Sequence, residues 1–146
     1  EEYTNRFFIN TVIDQTCSSF ADLQTLFKSK VNDVQYVKYY DSDNSLQTLT
    51  ASIYEKMLSY EPAQIQLADN QNFPSITKRN DAVICRYTVG YGSAASDVPE
   101  IIKQAILLTI GNFYQNRASV ITGKTATELP MNVKWLLDTY KVQIVG

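Results

Sequence analysis

The sequence has no histidine among its 146 residues. Histidine is the side chain that most often serves as a general base near neutral pH, and it is the commonest metal ligand in proteins. Its absence excludes Ser-His-Asp and Cys-His nucleophilic sites and the HExxH zinc motif. No two acidic residues have a spacing that marks them as the general acid and general base of a catalytic site. We therefore expect a protein that is not an enzyme and that binds no cofactor and no metal.

An excess of charge of one sign and a long apolar run are also missing. Thirteen Lys and Arg against fifteen Asp and Glu give a formal net charge of -2, which argues against a polybasic nucleic-acid or membrane binder. The longest apolar run, residues 105–110, is interrupted by Thr109 and is much shorter than the roughly 18 residues that span a bilayer. With 45% apolar residues, the chain predicts one compact domain without a membrane span.

Cysteine is scarce, since Cys17 and Cys85 are the only two. Two buried thiols are favoured because free cysteine is among the most buried residue types, and a bridge between them is the alternative. Residues 41–44 (DSDN) offer oxygen ligands but lack the glycine and the distal glutamate of a calcium loop, so they predict a hairpin turn. The chain opens with Glu-Glu-Tyr rather than with Met and an apolar leader, so we expect no signal peptide and missing upstream residues.

Residues 11–92 predict a β-rich region, because short runs of Val, Ile, Thr and Tyr alternate with turn-forming clusters. The run 34–40 is apolar on both faces, with Val34 and Tyr36 on the same one, which predicts a strand that lies centrally or against a partner. Residues 1–10 predict the end of an N-terminal helix in preference to a strand. Two runs alternate and predict strands with these inward side chains: Ala63, Ile65 and Leu67 in one, and Val83, Cys85, Tyr87 and Val89 in the other.

Residues 97–142 predict a helical pair. Asp97 suits an N-cap and Pro99 suits a first helical turn, so a long helix is predicted from there to about Ile121. A shorter helix follows Pro130. Its single apolar face is carried by Val133, Leu136, Leu137 and Tyr140. The predicted fold class is α+β, in which an antiparallel β-rich region is followed by a long helix and a shorter C-terminal helix packed together.

The long helix has more apolar surface than one helix face needs. At about 100 degrees per residue, one stripe is predicted to form the domain core: Val98, Ile101, Ile102, Ala105, Ile106, Leu108 and Phe113. A second stripe lies on the adjoining face: Leu107, Ile110, Tyr114, Ala118 and Ile121. Either the β-rich region or another copy of the protein would cover it. Trp135 points away from the core face of the shorter helix, as a local cover or as an interface anchor. Asn116 and Arg117 predict either a polar cluster or a contact between subunits.

The helical segment carries a family resemblance. In order and spacing, four pieces resemble the C-terminal half of phage head-tail connector (adaptor) proteins: residues 97–105 (DVPEIIKQA), 112–117 (NFYQNR), 128–130 (ELP) and 136–141 (LLDTYK). Residues 86–92 (RYTVGYG) also resemble the strand that enters this half in members with an inserted β-region.

This resemblance implies a virion structural protein at the neck of a tailed phage, made in the host cytoplasm. Family members form a homo-oligomeric ring, typically of about twelve copies arranged head to tail, which joins the portal protein to tail or neck proteins. DNA passes through the channel without sequence-specific binding, which suits a weakly acidic chain. The residues that we expect at the subunit interface are Leu107, Ile110, Tyr114, Asn116, Arg117, Trp135, Tyr140 and Lys141.

Two alternatives stay open. A monomeric β-rich protein-binding module would use its Tyr-rich sheet, and its binding would depend on Tyr36 and Tyr39 more than on Leu107 and Tyr114. An enzyme that works with carboxylates alone would require an acid pair brought together within a pocket.

Overall fold

The computed structural model describes residues 1–28, 30–115 and 130–142. It confirms the predicted fold class, because antiparallel strands come first and a long helix packed against a shorter one follows. The strands are β1 (Thr11–Cys17), β2 (Val31–Tyr40), β3 (Leu46–Thr48), β4 (Tyr54–Met57), β5 (Gln64–Leu67) and β6 (Val83–Val89). The helices are α1 (Glu100–Gln115) and α2 (Met131–Asp138), with short 3-10 turns at Phe20–Gln24, Ala51–Ile53 and Ala95–Asp97.

The strands form a four-stranded antiparallel sheet in the order β1-β6-β2-β3 and a separate β4-β5 hairpin. The predicted alternation of β6 is confirmed, because its four inward side chains are fully buried while Arg86 and Thr88 face outward. The alternation of 63–67 is only partly right. Ala63 and Ile65 are buried. Leu67 is exposed because it lines an open surface cavity beside Phe20 rather than packing under another strand.

Strand β2 lies inside the sheet between β6 and β3, as the central-strand prediction requires. The prediction that Val34 and Tyr36 share a face is wrong. A β-bulge at residue 35 places Val34 opposite the inward Tyr87 and Tyr36 opposite the outward Arg86. An extra residue in one strand shifts the alternation by one position, so Val34 and Val37 both enter the core.

A buried glutamine lies within the core of the β-rich region. The side-chain carbonyl of Gln15 accepts hydrogen bonds from the Tyr87 hydroxyl at 2.9 Å and from the Phe27 amide at 3.0 Å. Its amide nitrogen donates to the carbonyl of Thr25 at 3.1 Å. Burial raises the pKa of Tyr87 well above its ordinary value. Because a buried polar group is costly unless bonded, this network fixes the 25–27 segment against β1.

The two cysteines are free thiols, and both are buried, as favoured from the sequence. Burial raises the pKa of Cys85 to about 12, so its thiol stays protonated at neutral pH. Residues 41–44 form the predicted hairpin turn between β2 and β3. The Asp41 carboxylate accepts hydrogen bonds from the Asp43 and Ser45 amides, and bonds of this kind lower its pKa.

Residues 1–10 begin with a hydrogen-bonded turn. The Asn5 amide donates to the Glu2 carbonyl and the Arg6 amide to the Glu1 carbonyl, each at 3.3 Å, while Asn5 has a φ of 55°. This combination is the one with which many α-helices end. Residues 2–5 form a turn, so the N-terminal helix that would end here stays a prediction.

The helical pair has its own core, formed where α1 and α2 meet. Its buried members are Val98, Ile102, Ala105, Val133 and Leu137. The prediction of Asp97 as the helix N-cap is wrong. Its carboxylate accepts a hydrogen bond from the Ala94 amide at 3.0 Å, and α1 begins three residues later because the Pro99 carbonyl accepts the first helical bonds. No helix in the described part of the chain is long and apolar enough to cross a membrane.

Candidate subunit interface

The outer side of α1 carries apolar side chains that are largely exposed. Three of the predicted interface residues lie there: Leu107 is 66% exposed, Ile110 57% and Tyr114 71%. The structure therefore places Leu107, Ile110 and Tyr114 together on one exposed surface of α1. Farther round the helix, the Thr109 hydroxyl donates a hydrogen bond to the Ala105 carbonyl at 2.8 Å.

The predicted core stripe of α1 is mostly wrong. Only Val98, Ile102 and Ala105 are buried, whereas four of its members are exposed: Ile101, Ile106, Leu108 and Phe113. The physical reason is the size of the partner helix. The eight residues of α2 cover one narrow strip of α1, and a helix needs elements on several sides to bury a wider one. Much more of the apolar surface of α1 is thus exposed than the sequence predicts.

The outer side of α2 carries a second exposed apolar surface, here called the ridge, formed by Met131 and Trp135. Met131 is 82% exposed and Trp135 81%. They are four positions apart on the same helical face, opposite the buried Val133 and Leu137. The predicted outward position of Trp135 is confirmed, while Met131 beside it was not among the predicted interface residues.

A concave apolar surface, here called the groove, lies between α1, α2 and the N-terminal segment. It is a cavity of about 230 Å³. Its walls come from all three elements: Glu1, Tyr3, Phe8, Ala105, Ile106, Thr109, Ile110, Phe113 and Leu137. The groove thus contains the predicted interface residue Ile110 and two exposed residues that the sequence assigned to the core, Ile106 and Phe113.

The N-terminal wall of the groove is fixed to α2 by hydrogen bonds. The Tyr3 hydroxyl donates to the Asp138 carboxylate at 2.5 Å, and this bond raises the pKa of Tyr3. The Val142 amide donates to the Thr4 carbonyl at 3.1 Å. These contacts mean that the groove is present in a single subunit before any partner binds.

Two predicted interface residues at the end of the helical pair contact their own chain. The ring of Tyr140 packs edge-on against Tyr91 with centroids 6.4 Å apart, and the ammonium of Lys141 lies 4.9 Å from the centre of the Tyr3 ring. Asn116 and Arg117 lie outside the described residues. Among the eight predicted residues, the structure thus brings Leu107, Ile110 and Tyr114 together on α1 and sets Trp135 apart on α2.

The two tyrosines of the alternative binding-module reading are engaged within the chain. Tyr39 is partly buried, with its ring 5.8 Å from that of Phe20. Tyr36 lies between two cations, 4.6 Å from the Lys38 ammonium and 5.1 Å from the Arg86 guanidinium. Such cation–π contacts stabilise the sheet surface.

Ile106 and Phe113 are surface residues that the sequence pattern assigns to the core. The apolar residues around most of the circumference of α1 indicate that some of them are exposed. The pattern does not show which sides of the helix the rest of the fold covers. The N-terminal wall of the groove had no sequence signal, because Tyr3 and Phe8 reach the helices only through tertiary hydrogen bonds and packing.

Neither a protein-family model nor a curated protein matches the chain. Solved structures do. A chain in the neck of the native GTA particle, computed with C12 symmetry, superposes with a TM-score of 0.73 at 20% identity, over 99% of this chain and 76% of that chain. A chain in the neck of the empty GTA particle, computed with C6 symmetry, gives 0.73 at 17% identity, over 99% and 71%.

A third similar chain comes from the virion of the native gene transfer agent (GTA) particle. Its TM-score is 0.70 at 20% identity, over 99% of this chain and 71% of that chain. Nearly the whole of this chain, sheet and helical pair together, therefore has the fold of chains found in the neck and virion of gene transfer agent particles.

Proposed function

We propose that this protein is a structural subunit of a homo-oligomeric ring in the neck of a phage-like particle. The observation that carries the proposal is the exposed apolar surface of α1 and α2, led by Leu107, Ile110 and Trp135, on a fold shared with neck chains. Soluble monomers rarely expose large contiguous apolar patches, and such patches commonly mark interfaces. In this reading Leu107, Ile110, Tyr114 and Trp135 are buried between neighbouring subunits.

The finer role that we propose is that of a head-tail connector, or adaptor. The ring would lie beneath a portal protein, with tail or neck proteins on its other side and a channel for DNA through its centre. About twelve copies would form it, in keeping with the C12 and C6 symmetry of the similar necks. A net charge of -2 suits a channel wall along which DNA slides, because tight phosphate binding would hold the genome in place.

Asn116, Arg117, Tyr140 and Lys141 belong to the same proposal. The motif resemblance assigns all four to the subunit boundary. For Tyr140 and Lys141 this role would come in addition to their contacts within the chain, so their replacement would affect folding as well as assembly. Arg117→Ala and Trp135→Ala are expected to reduce ring yield more than they lower the melting temperature.

The experiment is assembly with a portal ring. Purified chain is mixed with the portal protein of the same particle, and the complexes are imaged by electron microscopy. We expect a second ring stacked coaxially on the portal. The matched pair is Ile110→Glu, in the apolar surface of α1, and Val12→Glu, an exposed aliphatic position on the outer face of the sheet. We expect Ile110→Glu to abolish the second ring and Val12→Glu to retain it. A chain that never stacks on the portal would contradict the connector role.

A further inference from the structure

We propose that neighbouring subunits join when the ridge of one, Met131 and Trp135, inserts into the groove of the next. This inference rests on the proposed ring and gives its interface a direction. One surface projects from α2, and the other is a cavity between α1, α2 and the N-terminal segment.

A subunit cannot fill its own groove with its own ridge. Leu137 lines the groove and Trp135 lies two positions earlier on α2, so their side chains diverge by about 200 degrees around the helix axis. The ridge and the groove are therefore separate surfaces of one molecule. Both are exposed among the described residues, where another copy can cover them.

The chemistry of the two surfaces also fits. The groove walls are mostly aliphatic and aromatic side chains, and the Thr109 hydroxyl among them already donates a hydrogen bond to its own helix. A Trp ring with a Met beside it is the type of anchor enriched in the desolvated centre of interfaces. The indole N–H needs an acceptor when buried. Glu1 lines the groove and supplies one, since a carboxylate that binds the Phe8 amide through Oε1 can still accept other donors.

Two different surfaces that bind each other produce a head-to-tail contact, and such a contact forms a closed ring when the rotation between neighbours closes. The similar chains come from necks computed with C12 and C6 symmetry, which is the symmetry of such rings. A two-fold contact, ridge against ridge, would instead stop at a dimer. The ridge and the groove therefore account for how one chain type associates head to tail.

Trp135 is the only tryptophan in the chain, so its fluorescence reports the ridge alone. Two variants are prepared: Ile110→Glu, which blocks the groove and keeps the ridge, and Trp135→Ala, which removes the ridge and keeps the groove. Each variant alone is expected to pair about 30-fold more weakly than the unmodified chain, the loss expected for an interface anchor. Mixed in equal amounts, they retain one intact ridge and one intact groove, so we expect heterodimers that cannot grow into rings.

In that mixture every tryptophan belongs to the Ile110→Glu subunit. Its emission is expected to shift to the blue on mixing and to become protected from acrylamide, while mass photometry shows dimers. Val12→Glu in place of Ile110→Glu is the control, which should still form rings alone. If the unmodified chain forms rings but the mixture stays monomeric with unchanged emission, the proposed ridge-to-groove contact is wrong, while the proposed ring is still supported. If the unmodified chain forms no ring, either alone or on a portal ring, both proposals are wrong.

Discussion

The guanidinium of Arg6 makes two hydrogen bonds to the carboxylate of Glu61, at 3.0 Å and 2.5 Å. Its Nε donates to the carbonyl of Tyr140 at 2.5 Å, so one largely buried side chain joins the N-terminal segment, the turn between β4 and β5, and the residues after α2. Burial opposes the charge on Arg6, but its interactions with Glu61 and Tyr91 outweigh this effect and raise the pKa of Arg6.

Arg6→Met is expected to lower the free energy of unfolding by about 1–3 kcal/mol. Removing one partner of a buried pair costs more than this, and the half-exposed position of Glu61 reduces the loss. Arg6→Lys should recover only part of it, because an ammonium cannot reproduce the two parallel bonds. Urea unfolding of the three proteins measures the effect. Equal stability of the Lys variant and the unmodified chain would show that charge alone matters here.

Gln15→Ala is expected to destabilise the β-rich region by about 2–4 kcal/mol, because it leaves the Phe27 amide, the Thr25 carbonyl and the Tyr87 hydroxyl without their partner. Tyr87→Phe removes a single hydrogen bond and should cost about 1 kcal/mol. Thermal or urea unfolding of both variants tests the order. If Tyr87→Phe were the more destabilising change, the proposed network around Gln15 would be wrong.

Two glycines should respond to alanine in opposite directions. Gly90 has a φ of 128°, and a Cβ there would lie 2.7 Å from backbone atoms of Ile9 and Asn10, so Gly90→Ala is expected to cost about 1–3 kcal/mol. Gly111 lies within α1 with nothing near the place of a Cβ. Gly111→Ala should therefore stabilise the protein by about 0.5–1 kcal/mol. Melting temperatures that move in the same direction for both variants would contradict this.

The Asp14–Arg86 pair on the outer face of the sheet should make a pH-dependent contribution to stability. Hydrogen bonds from Arg86 lower the pKa of Asp14. A carboxylate whose pKa is lower in the folded state stabilises the protein above its unfolded pKa of about 3.9, and this stabilisation is lost as the pH falls through the folded value. Asp14→Asn should therefore be less stable than the unmodified chain at neutral pH. The gap should close in acid, as urea midpoints across the pH range would show; a constant gap would contradict the assignment.

The sequence predicts the strands and helices that repeat regularly, and it misses the places where the backbone departs from regularity. β6 alternates without interruption, so its four inward residues follow directly from the pattern. The bulge at residue 35 has no such signature, and a single extra residue reverses the face of Val34. Gln15 looks like an ordinary outward polar residue because its partners at 25–27 and in β6 come from distant parts of the chain.

The candidate interface was predictable only in kind. The apolar circumference of α1 indicates excess apolar surface, and the outward position of Trp135 follows from helical spacing. Which α1 residues are covered depends on the short length of α2 and on the docking of the N-terminal segment. The periodicity of apolar residues in α1 predicts neither of these two features. The groove could therefore be found only in three dimensions.

Mass photometry over a range of protein concentrations, with electron microscopy of the largest species, shows whether this chain closes into a ring. We predict one closed ring of defined copy number, formed by the unmodified chain and by Val12→Glu but not by Ile110→Glu, either by the chain alone or on a portal ring. A chain that stays monomeric under both conditions would contradict the account.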